Sequence, residues 1–128
     1  MYHFSQERIT FEKAKSTCEH NFGKLFEPKT EAINKEIAAR ARKEYDMEEG
    51  SHGIINPWIG IHRIHVENRT VYASDKTTVT WSNWDANEPN NENDVEYCAH
   101  LYTYTSRWND NTCGEYRSFI CEKVWTLG

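Results

Sequence analysis

Two stretches of this sequence carry most of its information: EPNNENDVEYC, residues 88–98, and RWNDNTC, residues 107–113. Residues 82–97 have almost no apolar content, which predicts a long loop. A structureless loop of this length in a compact domain is usually functional. The loop is rich in carboxylates, which stand at Glu88, Glu92, Asp94 and Glu96. Each stretch ends in a cysteine, so a disulfide could join the two stretches.

The bulk composition limits the classes of protein to which the chain can belong. Its 128 residues predict a single domain over 1–128, and 13% aromatic residues can build a compact core although only 38% are hydrophobic. The net charge of −5 argues against a nucleic-acid partner. No apolar run is long enough to span a bilayer, and the N-terminal residues do not resemble a signal peptide, so we expect a mature domain without membrane insertion.

Four cysteines indicate the compartment. Cys18, Cys98, Cys113 and Cys121 allow three pairings, and the absence of a CxxC spacing weakens a zinc site. Two disulfides predict an oxidising location, secreted or extracellular. The nested arrangement would close one short loop and one long loop, and the long closure would contribute about 4 kcal/mol in the entropic model.

Hydrophobic periodicity predicts two helices in the first half of the chain and short strands after them, which is an α+β domain. Thr10 and Thr30 are the expected N-caps, and Gly23 is the expected end of the first helix. The expected inner faces are Phe11, Ala14, Cys18 and Phe22 in the first helix, and Ala32, Ile33, Ile37 and Ala41 in the second. Strands are predicted at YHFSQERI (2–9), WIGIHRI (58–64) and RSFICEKVW (117–125).

The acidic loop has the chemistry of a calcium site. Hard cations take six to eight oxygen ligands, which carboxylates and amide carbonyls supply. The candidate ligands are Glu88, Asn90, Glu96, Asn109 and Asp110. They come from two segments, which a Cys98–Cys113 bridge would hold together. The alternative is an ordinary solvated acidic loop without a bound ion.

A family resemblance joins these features. The motifs WIGI (58–61), WSNW (81–84), EPN (88–90) and WND (108–110), with Glu96 before Cys98, together resemble the C-type lectin family from Tyr2 to Lys123. The four cysteines match the two standard bridges of the family, Cys18–Cys121 and Cys98–Cys113. The resemblance implies a double-loop α+β fold, in which two helices flank small antiparallel sheets and a long loop binds calcium.

The resemblance also implies a function. Glu88, Asn90, Glu96, Asn109 and Asp110 fall on the principal calcium ligands of the family, which also bind the sugar. EPN implies mannose-type sugars (mannose, fucose, glucose or GlcNAc), and QPD would imply galactose. The expected partners are glycans or glycoproteins, and a homo-oligomer would add avidity.

Three other functions stay open from the residues alone. Galactose-type specificity and a protein-binding or ice-binding domain on the same fold are alternatives. An enzyme that uses paired carboxylates on a glycoside is less favoured, because these carboxylates are expected to bind an ion.

Three further features of the sequence carry expectations. The auxiliary calcium site of the family would use Arg63, Glu67, Asn91, Glu96 and Tyr97, and the arginine predicts that this second site is absent or weakened. Asn68 begins a glycosylation sequon. His62 and His65 are three apart in a predicted strand, which favours surface or structural roles over a metal pair.

Overall fold

The fold was analysed in a computed structural model that describes residues 1–45, 55–86 and 97–123. Within these ranges the chain forms two helices, seven strands and one turn of 3-10 helix. The predicted α+β class is confirmed. The helices are α1 (Phe11–Asn21) and α2 (Glu31–Glu44). The strands are β1 (Tyr2–Ile9), β2 (Lys24–Leu25), β3 (Trp58–Ile64), β4 (Arg69–Tyr72), β5 (Tyr97–Leu101), β6 (Trp108–Thr112) and β7 (Arg117–Glu122), and the 3-10 turn is His65–Glu67.

Helix α1 begins and ends where the sequence predicts. The Thr10 hydroxyl accepts a hydrogen bond from the Lys13 amide, which satisfies one of the free N–H groups of the first turn. At the other end, Gly23 has a φ of 132° and donates its amide to the carbonyl of Cys18. A Cβ atom at Gly23 would lie 2.6 Å from the carbonyl oxygen of Glu122, so this helix end requires glycine.

Helix α2 is capped by Thr30, as predicted, but its inner face differs from the prediction. Ala32 is exposed, whereas Asn34 is fully buried and takes an inner position. Sequence patterning assigns a polar residue to the solvent side, and Asn34 departs from that rule because its amide is hydrogen-bonded on both atoms. Within the described residues, no helix is long and apolar enough to cross a bilayer.

The strands form one curled sheet in the order β1-β7-β3-β5-β6, with β2 added to β7 and β4 added to β3. All pairings are antiparallel except that of β3 with β7, which meet at Trp58 and Phe119. This parallel contact joins the small antiparallel sheets of the prediction into one mixed sheet. Strand β6, which carries the WND motif, lies at the edge opposite β1.

The two helices cover two core clusters. Helix α1 contributes Phe11, Ala14 and Cys18 to a cluster around Trp58, and α2 contributes Ile37, Ala38 and Ala41 to a cluster around Trp108. Trp81 and Trp84 pack edge-on against Trp108, with ring centroids 5.6 and 5.5 Å away. Trp108 is fully buried and the rings of Trp81 and Trp84 are partly buried against it, so all three take part in the core packing.

The buried Asn34 side chain connects α2 to the strand that carries WND. Its Oδ1 accepts a hydrogen bond from the indole nitrogen of Trp108 at 2.9 Å, and its Nδ2 donates to the carbonyl of Ser106 at 2.7 Å. The Ser106 carbonyl also accepts from Nδ2 of Asn83 at 2.7 Å. The side-chain amide of Asn34 therefore fixes the positions of α2, the β5–β6 hairpin and the Trp108 indole relative to one another.

We predict that Asn34→Ala lowers the free energy of unfolding by about 2 kcal/mol, because it leaves the buried indole N–H of Trp108 without an acceptor. The Ser106 carbonyl keeps its hydrogen bond from Asn83, so the lost free energy comes mainly from the unpaired indole N–H of Trp108. The matched control is Asn21→Ala, in which an exposed asparagine loses one bond to the Thr17 carbonyl. Urea unfolding measures both variants, and equal losses would contradict a special role for Asn34.

Candidate functional site

The structure describes two of the five predicted calcium ligands, Asn109 and Asp110. Both lie on β6, where Asn109 pairs with His100 and Asp110 pairs with Ala99 of β5. Successive residues of a strand point to opposite faces, so Trp108 enters the core while Asn109 faces the other side. The remaining predicted ligands, Glu88, Asn90 and Glu96, lie outside the described residues.

The segment that leads into the predicted loop is fixed to the WND strand. The Trp108 amide donates to the Asn83 carbonyl at 2.8 Å, and the Trp108 carbonyl accepts from the Asp85 amide at 2.8 Å. Residues 83–85 therefore run beside Trp108 as a short parallel bridge. The segment that leads into the predicted loop is therefore bonded to the residue that directly precedes Asn109.

The amide of Asn109 is oriented by a neighbouring histidine. Its Nδ2 lies 3.4 Å from Nε2 of His100, and its Oδ1 is buried without a hydrogen-bond partner among the described residues. Buried oxygens are usually satisfied by a protein group, water or an ion. An amide oxygen left open in this way is the kind of atom that a hard cation takes as a ligand, so Asn109 fits the predicted site.

The neighbouring carboxylate is also buried. Asp110 is 5% exposed and follows Asn109 directly on β6. Removing a carboxylate from water is costly unless hydrogen bonds or a positive charge compensate it. The edge strand β6 thus carries a buried carboxylate and a buried amide oxygen on successive residues, and calcium sites use both kinds of oxygen.

His100 is a part of this site that sequence reasoning missed. Burial, and then the positive charge of Arg117, lower the pKa of His100 to about 3. The imidazole is therefore neutral at physiological pH and does not repel a cation beside Asn109. The hairpin register places His100 opposite Asn109, and that register depends on the 102–107 turn, where Ser106 has a left-handed φ of 62°. No feature of the sequence specifies this turn.

Both predicted disulfides are present. Cys98–Cys113 joins the start of β5 to the residue after β6, with a Cα–Cα distance of 5.1 Å, and so closes the hairpin that carries Asn109 and Asp110. Cys18–Cys121 joins α1 to β7 across a sequence separation of 103 residues. The nested pairing is confirmed, and it excludes a thiolate metal site at these cysteines.

His62 packs beside the first of these bridges. One of its ring nitrogens lies within 4.8 Å of both sulfur atoms, and its Nδ1 is 3.2 Å from the Lys76 ammonium. Its side chain is 6% exposed, which confirms a structural role for this residue. The side chain of His65, the other half of the HxxH pattern, lies outside the described residues.

The described residues of the predicted auxiliary site, Arg63, Glu67 and Tyr97, are engaged with each other or with neighbours. Arg63 is buried, pairs with Tyr97 across the sheet, and donates to Thr70 Oγ1 at 3.1 Å and to the side-chain oxygen of Asn68. Glu67 accepts from Arg69 at 3.1 Å. A buried guanidinium supports the expectation of a weak or absent second site, which stays a prediction because Asn91 and Glu96 lie outside the described residues.

The sequon residue Asn68 occupies an exposed turn. Its φ is 49°, a left-handed conformation that asparagine tolerates well. Its Oδ1 accepts from Arg63, whereas glycosylation would modify Nδ2. The exposed position is compatible with modification, and the glycosylation of Asn68 stays a prediction.

Comparison with known proteins agrees with these features. Residues 7–123 match the family model of the lectin C-type domain. The chain is 32% identical to Collectin-10 of Xenopus tropicalis over 94% of its length and 33% identical to Collectin-11 of Bos taurus over 95%. These matches cover 41% and 42% of the two relatives, so the chain spans about two fifths of their length.

A solved structure confirms the likeness in three dimensions. The human scavenger receptor C-type lectin carbohydrate-recognition domain superposes with a TM-score of 0.78 at 30% identity. The alignment covers 97% of this chain and 90% of that domain. The double-loop fold class that the resemblance implies is therefore confirmed.

We predict that the neutral state of His100 makes stability depend on pH. In the unfolded chain the imidazole titrates near 6.5, so between pH 6.5 and about 3 the unfolded state binds more protons than the folded state. The stability that neutral His100 contributes is complete above pH 6.5 and decreases below it, by about 2 kcal/mol at pH 5.

Two measurements in EDTA test this prediction. The imidazole NMR signals of His100 should not titrate between pH 7 and pH 5, and urea unfolding of His100→Gln should lose less stability over that interval than the wild-type chain. A His100 signal with a midpoint near 6.5 would show that the residue is solvated and would contradict the prediction.

Proposed function

The chain belongs to the C-type lectin domain family, and from this we propose that it is a calcium-dependent carbohydrate-binding domain with a preference for mannose-type sugars. Carbohydrate binding is the activity that family membership and the collectin relatives suggest. The family is generally non-enzymatic, and we propose that this chain has no catalytic activity.

The observation that carries the proposal is the environment of Asn109. Its buried Oδ1 has no hydrogen-bond partner within the described ranges, and the residue follows Trp108, which is fixed on both sides. A site that served only to fill the core would pair this oxygen with a protein donor. A buried amide oxygen without a described donor, on a strand whose next residue is the carboxylate Asp110, instead suits a hard cation.

We propose that Glu88, Asn90 and Glu96 complete the ligand set with Asn109 and Asp110. Calcium bound there would supply a Lewis-acidic centre to which two vicinal sugar hydroxyls coordinate. The two segments that carry the ligands, 88–98 and 107–113, each end in a cysteine of the Cys98–Cys113 bridge, and residues 83–85, which precede the first segment, are hydrogen-bonded to Trp108. This covalent and hydrogen-bonded frame limits the conformational freedom that the ligands lose when they bind the ion.

The side chains themselves would recognise the orientation of the hydroxyls. Glu88 and Glu96 accept hydrogen bonds from the sugar, and Asn90 and Asn109 donate to it through their amide groups. Bonds to the carboxylates are charge-assisted and stronger than neutral ones. The order of acceptor and donor in EPN favours equatorial hydroxyls of the mannose type, and the reverse order in QPD would favour galactose.

Location and assembly follow from the same proposal. Two disulfides within the described residues suit a secreted or extracellular domain. One shallow sugar site gives a Kd of about 1 mM, or about 4 kcal/mol. Several copies in one assembly would raise avidity, so glycans and glycoproteins are the proposed partners and a homo-oligomer is the proposed form.

We predict that calcium stabilises the fold and that Asp110→Asn removes this effect. Calcium at about 100 times its Kd should add about 2.7 kcal/mol, because it binds the folded state alone. The variant loses one full negative charge from the ligand set, so its melting temperatures with calcium and with EDTA should nearly coincide. Glu7→Gln, an equal charge change at an exposed position of β1, should keep the wild-type difference.

Heating scans with millimolar calcium and with EDTA give this comparison, and equal melting temperatures of the wild-type chain would count against the site. A glycan array read with and without calcium then separates the competing functions. Binding of neutral glycans that persists in EDTA would contradict the calcium mechanism, and no glycan binding with or without calcium would favour a protein-binding or ice-binding domain. Turnover of a bound glycan would favour an enzyme.

We predict that the double variant Glu88→Gln/Asn90→Asp moves the preference from mannose toward galactose, because it exchanges the acceptor and the donor. The matched control is Glu92→Gln/Asn87→Asp, which makes the same two changes in the same loop outside the proposed ligand set. Competition by free mannose and free galactose against an immobilised glycan measures the preference. An unchanged order in the first variant would show that these residues do not set specificity.

A further inference from the structure

A groove whose described lining includes none of the proposed calcium ligands lies between helix α2 and the β5–β6 hairpin. Its volume is about 300 Å³. The residues that line it are Lys35, Ala38, Arg42, Tyr104, Thr105 and Ser106. This described lining holds two cationic side chains and no carboxylate, although the whole chain has a net charge of −5. The groove is therefore a local positive site on an acidic protein.

The helix sets the spacing of the two cations. Lys35 and Arg42 are seven residues apart, which places them on the same face of α2 about 10 Å apart along its axis. Ala38 lies between them, and its small side chain leaves the floor of the groove open. Arg42 is held in place by a hydrogen bond from its guanidinium to the Thr103 carbonyl. A guanidinium has five N–H donors, so this anchor leaves donors for a ligand.

The opposite wall comes from the hairpin. The Tyr104 side chain is 39% exposed, and the Arg42 guanidinium carbon lies 5.6 Å from the centre of its ring. Thr105 accepts a hydrogen bond from the Arg107 amide at 3.2 Å, which leaves its hydroxyl proton able to donate. The groove thus combines an aromatic surface, a hydroxyl donor and two positive charges.

We propose that this groove binds a sulfated sugar. A sulfate ester carries its charge throughout the physiological pH range and offers oxygen acceptors to both the ammonium and the guanidinium, whose bonds to anions are charge-assisted. The apolar face of a sugar ring fits against an aromatic side chain such as Tyr104. A plain anion would use the charges but not the ring, so the lining favours a sugar that carries the anionic group.

Lys35 also has a neighbour that competes for it. Its ammonium lies 3.1 Å from a carboxylate oxygen of Glu31, but both side chains are 64% exposed. Exposed ion pairs on a helix contribute little free energy, so a ligand can replace this one at small cost. The other cation, Arg42, is partly buried and already oriented.

The binding experiment uses the whole chain in EDTA, so that its result does not depend on calcium or on the proposed function. The probes are a heparin-derived tetrasaccharide and the same tetrasaccharide with its sulfates removed, which keeps the uronate carboxylates. Titration followed by backbone amide NMR gives both affinity and location. We expect saturable binding of the sulfated probe at low salt, with the largest shifts at Lys35, Arg42 and Tyr104, and at least tenfold weaker binding of the desulfated probe.

Single variants test the individual contacts. Lys35→Ala should weaken binding about tenfold, and Lys43→Ala, an equal charge change at an exposed position of the same helix that does not line the groove, should not. Tyr104→Ala should weaken binding about fivefold without changing net charge.

Three results would overturn the proposal. They are shifts that map to another surface such as Arg8 and Arg117, equal effects of the two lysine variants, and equal affinity for both probes. If the sulfated probe binds in EDTA while neutral sugars do not bind in calcium, the groove proposal is supported and the proposed calcium-dependent function is contradicted.

Discussion

The indole of Trp108 is the point on which both the core and the site depend. Its ring nitrogen donates to the buried Asn34 amide, and its backbone bonds on both sides to Asn83 and Asp85. Because residues alternate along a strand, an indole fixed on one face forces Asn109 onto the other. The packing of α2 is therefore coupled to the orientation of the proposed ligands. A substitution at Asn34 in the interface of α2 would therefore act on the edge strand β6 through the hydrogen bond to Trp108.

Much of the fold could be predicted because local signals agreed with the final structure. Thr10 and Thr30 cap their helices, Gly23 ends the first, and WIGIHRI forms β3 over its full predicted length. These features depend on neighbours in sequence, which periodicity and capping rules describe directly. The cysteine pairing followed from the family resemblance, since three pairings satisfied the residues alone.

The interior contacts of polar side chains could not be predicted in the same way. Patterning placed Ala32 inside α2 and assigned no inner role to Asn34, because the partners of Asn34 lie more than 70 residues away. His100 was missed beside Asn109 because the register of a hairpin depends on its turn. The proposed ligands Asn109 and Asp110 were found from composition and motif. Their surroundings, which decide what the oxygens can bind, needed the structure.

The charges of the chain are unevenly distributed. Four of its carboxylates fall within residues 88–96 of the sequence, while the described lining of the groove beside α2 holds Lys35 and Arg42 and no carboxylate. The β5–β6 hairpin carries two of the proposed calcium ligands, Asn109 and Asp110, on one arm and Tyr104 of the groove at its turn. One short covalently closed element thus contributes residues to both proposed sites.

The pairing of the first and last described residues has a consequence for how this domain can be displayed. Strands β1 and β7 pair from Tyr2 with Glu122 onward, and the Lys123 amide donates to the Met1 carbonyl, so residues 1 and 123 lie side by side. Strand β6, with Asn109 and Asp110, lies at the opposite edge of the sheet. Attachment through this β1–β7 side would leave the β6 edge, with the proposed ligands, free of the attachment. Several copies tethered in this way would each keep their proposed ligands available to a multivalent glycan.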